Sequence, residues 1–304
     1  MSRPSTGIGT VLAMVLVAAA VCGSAYGAGV QVSLAPSANA DTVLRYISGA
    51  FTTPTTSWDN NSPGGGVDNW LVTQSAANQL ASIQEGSNPV GLNDNGFYPA
   101  SGARLYDVQL GYNATTPTGT NTAIRSTTAG SFSFTVPNGQ YSQFAIFGSG
   151  GSGSSSLNIT LTYSTGSPTA LSNVTLPDWY SGSPSTTAAG AAGTYFALTP
   201  ALSRQAAYDF PNAGYQAPSG GAYVYGINLA PDSTRVLTSV AVVYTPSSPG
   251  YTVANFLGAA GATVATTSTP TPTVPALGTW GLVLLAVGLI SVCWLFLRRE
   301  RQAR

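Results

Sequence analysis

The chain has 304 residues, of which 43% are hydrophobic and only 7% are charged. Its Lys and Arg total 10, its Asp and Glu total 10, and it contains no His. The lack of His excludes a Ser-His-Asp triad, a His-liganded zinc site and a His general base. Without a basic surplus the chain also lacks the positive patch that nucleic acid requires, so nucleic acid is not a predicted partner.

The amino-terminal segment has the pattern of a secretory signal peptide. Arg3 precedes an apolar stretch at residues 8–21, and small residues follow as far as Gly27. Because that stretch is short for a bilayer span, we predict a signal peptide at residues 1–27 that is cleaved between Gly27 and Ala28. An N-terminal anchor helix is the alternative.

Both cysteines of the chain lie in its hydrophobic end segments. Cys22 falls within the predicted signal peptide, and Cys293 falls near the carboxyl end. An exported domain is free to form disulfides, but the region between these segments has no thiol with which to form one. Its stability is therefore expected to come from core packing.

Residues 28–257 are predicted to form an all-β ectodomain, a jelly-roll-like β-sandwich. Short runs rich in β-branched and aromatic residues recur along it, separated by turns of Gly, Pro, Asn and Ser. Alternating apolar residues flank the Pro-Asn-Gly turn at residues 137–139, which predicts a hairpin with one buried face. One segment, residues 70–85, has a loose helical pattern. The predicted strands are residues 103–110, 131–136, 141–148, 157–163, 169–176, 222–229, 236–244 and 251–257.

Loops rich in Asn, Asp and Gly lie in the first part of this ectodomain. Asp59 and Asp68 flank a Gly-rich stretch, and Asp94 lies in an Asn-Asp-Asn-Gly sequence. Calcium prefers oxygen ligands on flexible backbone, so these three Asp residues are the candidate calcium ligands. The alternative is that Asn, Asp and Gly simply form turns here. No other cofactor is predicted.

Hydrolysis by a pair of carboxylates is a catalytic chemistry that the composition leaves open. The acidic residues close enough in sequence to converge are Asp59, Asp68, Glu85, Asp94 and Asp107. No pattern pairs two of them, and most lie among Asn and Gly in predicted loops. The chain is therefore predicted not to be an enzyme, and a carboxylate-dependent glycoside hydrolase is kept as the third hypothesis.

Aromatic residues near the loops indicate a second kind of binding. Trp179 and Tyr180 follow the predicted strand that ends at Leu176, and this pair is predicted to be exposed. Flat aromatic faces beside Asn or Asp commonly hold sugar rings, so the pair is the candidate sugar-stacking site. Aromatic residues also fill sandwich cores, and that is the prediction for Tyr223 and Tyr225, which share one strand face.

The carboxyl end combines a polar stalk with a membrane segment. Residues 258–273, rich in Ala, Thr and Pro, are predicted to form a semi-extended stalk. As a helix, the apolar residues 276–297 extend about 30 Å, which is enough to cross a bilayer. Because Arg residues follow this run, its end is predicted to stay in the cytoplasm, which places everything upstream outside.

The segment from residue 274 to residue 304 also carries a short motif. A Pro and a Leu precede Trp-Gly, and an Arg pair follows the apolar run; the residues are Val274, Pro275, Leu277, Trp280, Gly281, Arg298 and Arg299. The motif resembles the IPTL-CTERM sorting signal of Gram-negative bacteria, a relative of the PEP-CTERM signal, with Val274 for Ile and Ala276 for Thr. The resemblance implies export across the inner membrane, processing by an exosortase-like enzyme, and delivery to the cell surface or its polysaccharide matrix. An ordinary single-pass anchor is the alternative.

These patterns together predict an exported, non-catalytic protein of the cell surface or extracellular matrix. The inner membrane and an exosortase-like processing enzyme are its predicted partners, with exopolysaccharide as a third candidate. The alternative function is a carbohydrate-binding module of the jelly-roll kind that engages this polysaccharide.

Overall fold

The structure is a computed structural model, and it describes residues 29–52, 54–59, 69–83, 91–113, 115–117, 119–179, 188–198, 207–209, 214–216 and 223–265. The predicted signal peptide with its cleavage site at Gly27 and Ala28 lies outside these residues. The segment 274–304, with every residue of the sorting motif, lies outside them as well.

The described residues form short and long strands with one α-helix among them, so the predicted all-β class is confirmed. The helix α1 is Gln74–Ile83, which lies within the predicted helical segment at residues 70–85. The predicted start of that segment is wrong, because residues 70–72 belong to a strand. The strands are β1 Gly29–Val32, β2 Val43–Leu44, β3 Tyr46–Ile47, β4 Ala50–Phe51, β5 Asn69–Val72, β6 Phe97–Tyr98, β7 Val108–Gln109, β8 Ile124–Ser126, β9 Gly130–Gly139, β10 Tyr141–Gly151, β11 Ser155–Tyr163, β12 Thr169–Leu176, β13 Tyr195–Ala197, β14 Ala207–Asp209, β15 Gly214–Gln216, β16 Tyr225–Asn228, β17 Leu237–Pro246 and β18 Val253–Thr263.

Four antiparallel strands form what we call the outer sheet, in the order β12–β11–β17–β9. Side chains along β11 alternate, with Leu157 and Ile159 buried and Ser156 and Asn158 exposed. This alternation arises because successive side chains of a strand point to opposite faces, and one face of this sheet meets solvent.

The inner sheet has the order β1–β18–β10–β16–β13, and β8 also pairs with β18. Burial in this sheet does not alternate. β10 is buried at every position from Phe144 to Gly151, and β18 from Val253 to Ala262. A strand that is buried at successive positions is covered on both of its faces.

Side chains from both sheets form one core between them. Phe144 and Ile146 of β10 belong to the same buried cluster as Leu157 of β11. Phe132 of β9 reaches Phe256 of β18, and their ring centroids lie 4.9 Å apart. The two sheets therefore pack against each other face to face.

The second face of the inner sheet is covered by the N-terminal layer, which we define as the described residues from 40 to 112. Trp58 and Tyr106 of this layer share a buried cluster with Phe147 of β10 and Leu257 of β18. The indole Nε1 of Trp58 also donates a hydrogen bond to Oγ of Ser149, at 3.1 Å. Within the layer, β2 and β5 join β14 and β15 in a further sheet of order β15–β14–β5–β2.

The predicted hairpin at residues 137–139 is wrong. These residues belong to β9, and the chain turns at Gln140 into β10. β9 pairs with β17 in the outer sheet, whereas β10 pairs with β18 and β16 in the inner sheet. The two strands do bury their alternating apolar residues in a common core, but from opposite sides of it. Alternation specifies which face of a strand is buried, and it does not specify the neighbouring strand.

The predicted start of the stalk at residue 258 is also wrong, because β18 continues to Thr263. Ala and Gly dominate this part of the strand, and this composition led to the interpretation as a stalk. A Cβ atom on Gly258 would lie only 2.9 Å from the carbonyl oxygen of Gln109 in the N-terminal layer. The small residues therefore allow close packing on both faces of the strand. The rest of the predicted stalk, from residue 266, lies outside the described residues.

The predicted strand at residues 103–110 is largely replaced by irregular structure, and only β7 forms there. Ser101 and Arg104 exchange backbone hydrogen bonds of 3.1 and 3.0 Å in a tight turn. The guanidinium of Arg104 donates to the carbonyl oxygens of Pro99 and Tyr106, at 2.6 and 3.1 Å. Its burial lowers the pKa of the Arg104 guanidinium.

No helix among the described residues is both long and apolar enough to cross a bilayer. The predicted membrane segment at residues 276–297 lies outside that part of the chain.

Candidate functional site

The structure places Asp94 at the amino end of α1. Its Oδ1 atom accepts hydrogen bonds from the backbone N and the Oγ of Ser75, at 2.8 and 2.7 Å. Beside it, the backbone N of Asn95 donates to Oδ1 of Asn93 at 3.1 Å, and the N of Gly96 donates to the Asn93 carbonyl at 2.9 Å. Asp94 therefore supports the start of the helix from a turn, which agrees with the turn alternative for this loop.

Of the other two candidate calcium ligands, one lies within the described part of the chain. Asp59 is half-buried, and its carbonyl oxygen accepts hydrogen bonds from Oγ of Ser57 and from Nη2 of Arg125. Asp68 lies outside the described residues. Among those that are described, no three His, Cys, Asp or Glu residues come together as metal ligands.

Two further acidic residues, Asp107 and Glu85, are candidates in the hydrolase hypothesis. Oδ1 of Asp107 accepts a hydrogen bond from the backbone N of Ala100, at 2.7 Å. This contact ties the irregular segment before β7 to the end of β6. Glu85 lies outside the described residues.

Trp179 is only 4% exposed, so its prediction as an exposed sugar-stacking residue is wrong. Its backbone N donates to the carbonyl of Gly150 at 2.8 Å, and its own carbonyl accepts from the N of Tyr223 at 2.9 Å. These bonds hold the segment against β10, so the indole joins the core between the inner sheet and the N-terminal layer. Tyr180 lies outside the described residues.

The prediction that Tyr223 and Tyr225 belong to the core is confirmed. Tyr225 is fully buried, Tyr223 packs against the same cluster, and their rings lie 5.7 Å apart. The ring of Tyr195 meets the Tyr225 ring edge-on, with centroids 5.4 Å apart and an interplanar angle of 79°. This contact fixes Tyr195 beside a cavity that the sequence did not indicate.

We call that cavity the β12 groove. It has a volume of about 350 Å³ and lies between β12 and the segment that leads into β13. Its lining carries hydroxyl and amide groups and no charge. The lining residues are Ser172, Asn173, Val174, Thr175, Ala192, Gly193, Thr194 and Tyr195.

An irregularity in β12 shapes one wall of this groove. Asn173 has a φ of 56°, in the left-handed region, and its backbone N donates to Oδ1 of Asn158 at 3.1 Å. The register between β11 and β12 shifts at this point, so β12 bulges. Asn tolerates this conformation better than most residues, because its short polar side chain bonds locally.

The opposite wall is held by hydrogen bonds to the inner sheet. Oγ1 of Thr194 donates to the carbonyl of Ala191 at 2.6 Å and accepts from Nδ2 of Asn228 at 3.0 Å. The backbone N of Asn228 donates to the Thr194 carbonyl at 2.8 Å. Asn228 belongs to β16 of the inner sheet, whereas the first wall of the groove belongs to β12 of the outer sheet. The groove therefore lies between the two sheets, and hydrogen bonds hold both of its walls. Sequence patterns could not find it, because its two walls are distant in the chain and its residue types are common.

Sequence reasoning also missed a buried ion pair in the N-terminal layer. Nη2 of Arg45 lies 2.9 Å from Oδ2 of Asp41, and both side chains are almost completely buried. Arg45 further donates to the carbonyl of Thr116 at 2.6 Å, and Oδ1 of Asp41 accepts from Oγ1 of Thr122 at 3.2 Å. Burial raises the pKa of the Asp41 carboxyl, and the charge of Arg45 opposes that shift. The pair joins β2 to two loops and has a structural role.

Comparisons of the chain with family models, with curated proteins and with solved structures gave no match. The geometry of the described residues and the sequence of the end segments are therefore the basis for a functional proposal.

Proposed function

We propose that this is an exported, non-catalytic protein of the bacterial cell surface or extracellular matrix. The observation that carries the proposal is the carboxyl-terminal segment, in which the residues from Val274 to Gly281 resemble a sorting motif and are followed by an apolar run and an Arg cluster. The amino-terminal segment, with a predicted cleavage site between Gly27 and Ala28, agrees with export. The protein is delivered outside through the inner membrane, where an exosortase-like enzyme processes the tail.

The fold of the described residues is compatible with this role. All four strands of the outer sheet lack charged residues, and their exposed positions carry mainly Ser, Thr and Asn. A neutral surface with many hydroxyl groups suits a protein embedded among hydrated polysaccharide chains. As part of this proposal, the sandwich is of the jelly-roll-like type.

The test is the mass and location of the mature protein in a producing cell. We expect the protein outside the inner membrane, without residues 1–27 and with the carboxyl-terminal tail removed. Replacement of Pro275 and Trp280 by Ala should block removal of the tail, whereas Thr271→Ala in the stalk should not. A tail that is retained in the wild-type protein would favour the ordinary single-pass anchor, and a protein found only in the cytoplasm would overturn the proposal.

A second candidate function is carbohydrate binding, and the β12 groove favours it. A cavity of about 350 Å³ lies within the usual size range of small-ligand sites. Because the lining is uncharged and includes Tyr195 beside hydroxyl and amide groups, the ligand would be a neutral saccharide. This groove replaces the site that was predicted at Trp179.

Immobilised neutral and acidic polysaccharides would test the second function. We expect binding to neutral chains that falls about tenfold in Tyr195→Ala, which corresponds to one lost stacking contact. Tyr195→Phe keeps the ring and should bind nearly as well. A Trp179→Phe variant should leave binding unchanged, since that ring is in the core. Binding that is equal in Tyr195→Ala and wild type would exclude the groove.

Calcium binding stays a prediction that centres on Asp59 and Asp68, since Asp94 supports α1. Addition of calcium to the chelated protein should raise the thermal midpoint of unfolding if the site exists. Asp68→Asn should remove this increase, whereas Asp232→Asn at the end of the outer sheet should not.

A further inference from the structure

The sheets of this protein differ in how their edges are protected. An unpaired strand edge is a template for pairing with another chain, and proteins usually shorten, bend, charge or cover it. The edge strands of the inner sheet are short: β1 has 4 residues, and β8 and β13 have 3 each. These strands offer little length for pairing.

One edge of the outer sheet, β12, is bent and covered. The bulge at Asn173 interrupts its line. Beyond the bulge, Gly193 packs so closely that a Cβ atom on it would lie 3.1 Å from Cγ2 of Val174. The outer side of β12 is therefore unsuited to a further strand.

Within the part of the chain that the structure describes, the other edge strand, β9, shows none of these protections over its first part. Its residues from Gly130 to Thr135 pair with β17 in one continuous register, and the first shift comes after Thr135. This part contains no charge and no Pro. Within the described residues, β17 is the one strand that pairs with β9. We call residues 130–135 the β9 edge.

The sequence of the β9 edge has the same pattern in both directions. Ser131-Phe132-Ser133-Phe134-Thr135 is symmetric about Ser133, with hydroxyl and aromatic residues in alternation. If two copies pair antiparallel about a two-fold axis at Ser133, each hydroxyl residue lies opposite a hydroxyl residue and each Phe opposite a Phe. Ser131 then faces Thr135 of the second copy on the solvent side.

The aromatic positions supply the favourable contact on the core side. Phe132 and Phe134 are only partly buried, and their rings stack with centroids 6.2 Å apart. Two-fold pairing brings Phe132 of one copy beside Phe134 of the other and covers both rings. Aromatic pairs directly across two strands are among the more stabilising cross-strand pairs.

We propose that the β9 edge is a self-association surface, at which two copies of this chain pair antiparallel about Ser133. The two outer sheets then form one continuous sheet with β9 strands at its centre. We favour a second copy as the partner because of the symmetry of this pattern. A strand that runs antiparallel to the β9 edge and matches its hydroxyl and aromatic residues has the sequence of the β9 edge itself. The pairing is independent of the tail and of the β12 groove.

Disulfide trapping tests both the association and its register. The background is the full chain in detergent with Cys22 and Cys293 replaced by Ala, so that each introduced Cys is the only thiol. Opposed residues of antiparallel strands have Cα atoms about 4.5 or 5.5 Å apart, and both separations suit a disulfide. We expect Ser133→Cys to form a disulfide-linked dimer on mild oxidation.

The matched controls place a Cys elsewhere on the same strand. Two copies of Ser131→Cys are offset by about 13 Å along the paired strands, which is too far for a bond. We expect at least about tenfold less dimer from this variant than from Ser133→Cys. The double variant S131C/T135C should recover cross-linking, because position 131 faces position 135 of the second copy.

A charge variant gives a reading without cross-linking. Ser133→Lys places two like charges directly opposite each other and should weaken the dimer about fivefold or more in sedimentation experiments. Thr160→Lys on the central strand β11 carries the same charge on the same face and should leave association unchanged. Equal cross-linking of Ser133→Cys and Ser131→Cys, or association that Ser133→Lys does not alter, would overturn the proposal. A wild-type chain that binds a different protein through β9 and stays monomeric by itself would overturn it too.

Discussion

The two sheets of the sandwich follow different packing rules. Each strand of the outer sheet buries one face, so apolar and polar residues alternate, as in Leu157 to Thr160 of β11. The central strands of the inner sheet are buried on both faces, yet each contains a stretch of small residues. The later half of β10 contains Gly148 to Gly151, and β18 contains a run of Gly and Ala from Gly258.

Close approach of the N-terminal layer explains this composition. A Cβ atom on Gly151 would lie 2.6 Å from the carbonyl oxygen of Trp58 and 2.7 Å from Cα of Asp59. The amide of Asn255 in β18 donates to that same Trp58 carbonyl at 2.7 Å. The backbone of the layer therefore packs directly on the inner sheet, and there is no room for larger side chains. A doubly buried strand can thus have the composition of a linker.

The largest effect is expected where charge is buried in the N-terminal layer. Arg45→Met leaves the carboxylate of Asp41 buried without its partner, which should reduce the free energy of unfolding by about 3–5 kcal/mol. The comparison is the ion pair of Asp232, which is exposed, and Arg235, which is half-buried, with 4.0 Å between Oδ2 and Nη1. Asp232→Asn should cause no measurable change in urea denaturation, because solvent screens this pair. Equal losses would contradict the distinction between the two regions.

Alkaline pH should destabilise the layer through its buried tyrosines. Burial raises the pKa of Tyr98 to about 12, from an ordinary value of 10.0. The folded state therefore keeps this proton after the unfolded state has lost it, so stability falls as the pH rises from about 10 to about 12. The full effect of one such group is on the order of 3 kcal/mol.

Denaturation curves at several pH values would measure this loss. Tyr98→Phe should flatten the dependence, although it also removes the acceptor of the 3.1 Å bond from the Asn93 backbone N. A slope above pH 10 that is identical in Tyr98→Phe and in the wild type would refute the assignment to Tyr98.

A smaller effect is expected from a single added methyl group in the inner sheet. Gly151→Ala forces the backbone at Trp58 and Asp59 to move, which should cost about 1–3 kcal/mol. The thermal midpoint and the urea midpoint would both fall. If the protein tolerates this change without loss, the N-terminal layer does not pack on the sheet as closely as described.

The smallest effect is expected on the solvent face of the outer sheet. Thr160 lies opposite Ala241 of β17 and Ala170 of β12, so Thr160→Val meets only small neighbours. The change in unfolding free energy should stay within about 0.5 kcal/mol. A loss as large as that of Gly151→Ala would show that this face is covered in the folded protein.

The candidate site was less predictable than the fold. Trp179 and Tyr225 are both aromatic residues beside turns, and sequence alone gave them different roles. Hydrogen bonds from the Trp179 backbone to Gly150 and Tyr223 decide its burial, and these partners are distant in the chain. The β12 groove likewise depends on Thr194 and Asn228 meeting across two elements.

The sequence by itself determined the all-β class, the approximate position of α1 and the buried face of the outer strand β9. These features follow from local periodicity, because a strand or helix presents its side chains at a fixed interval. Only the tertiary structure decided that β9 and β10 belong to different sheets, that Gly258 lies in a strand, and that Asp41 and Arg45 are buried together. Each of these features depends on which other segment covers a given face, and the periodicity of a strand does not identify that segment.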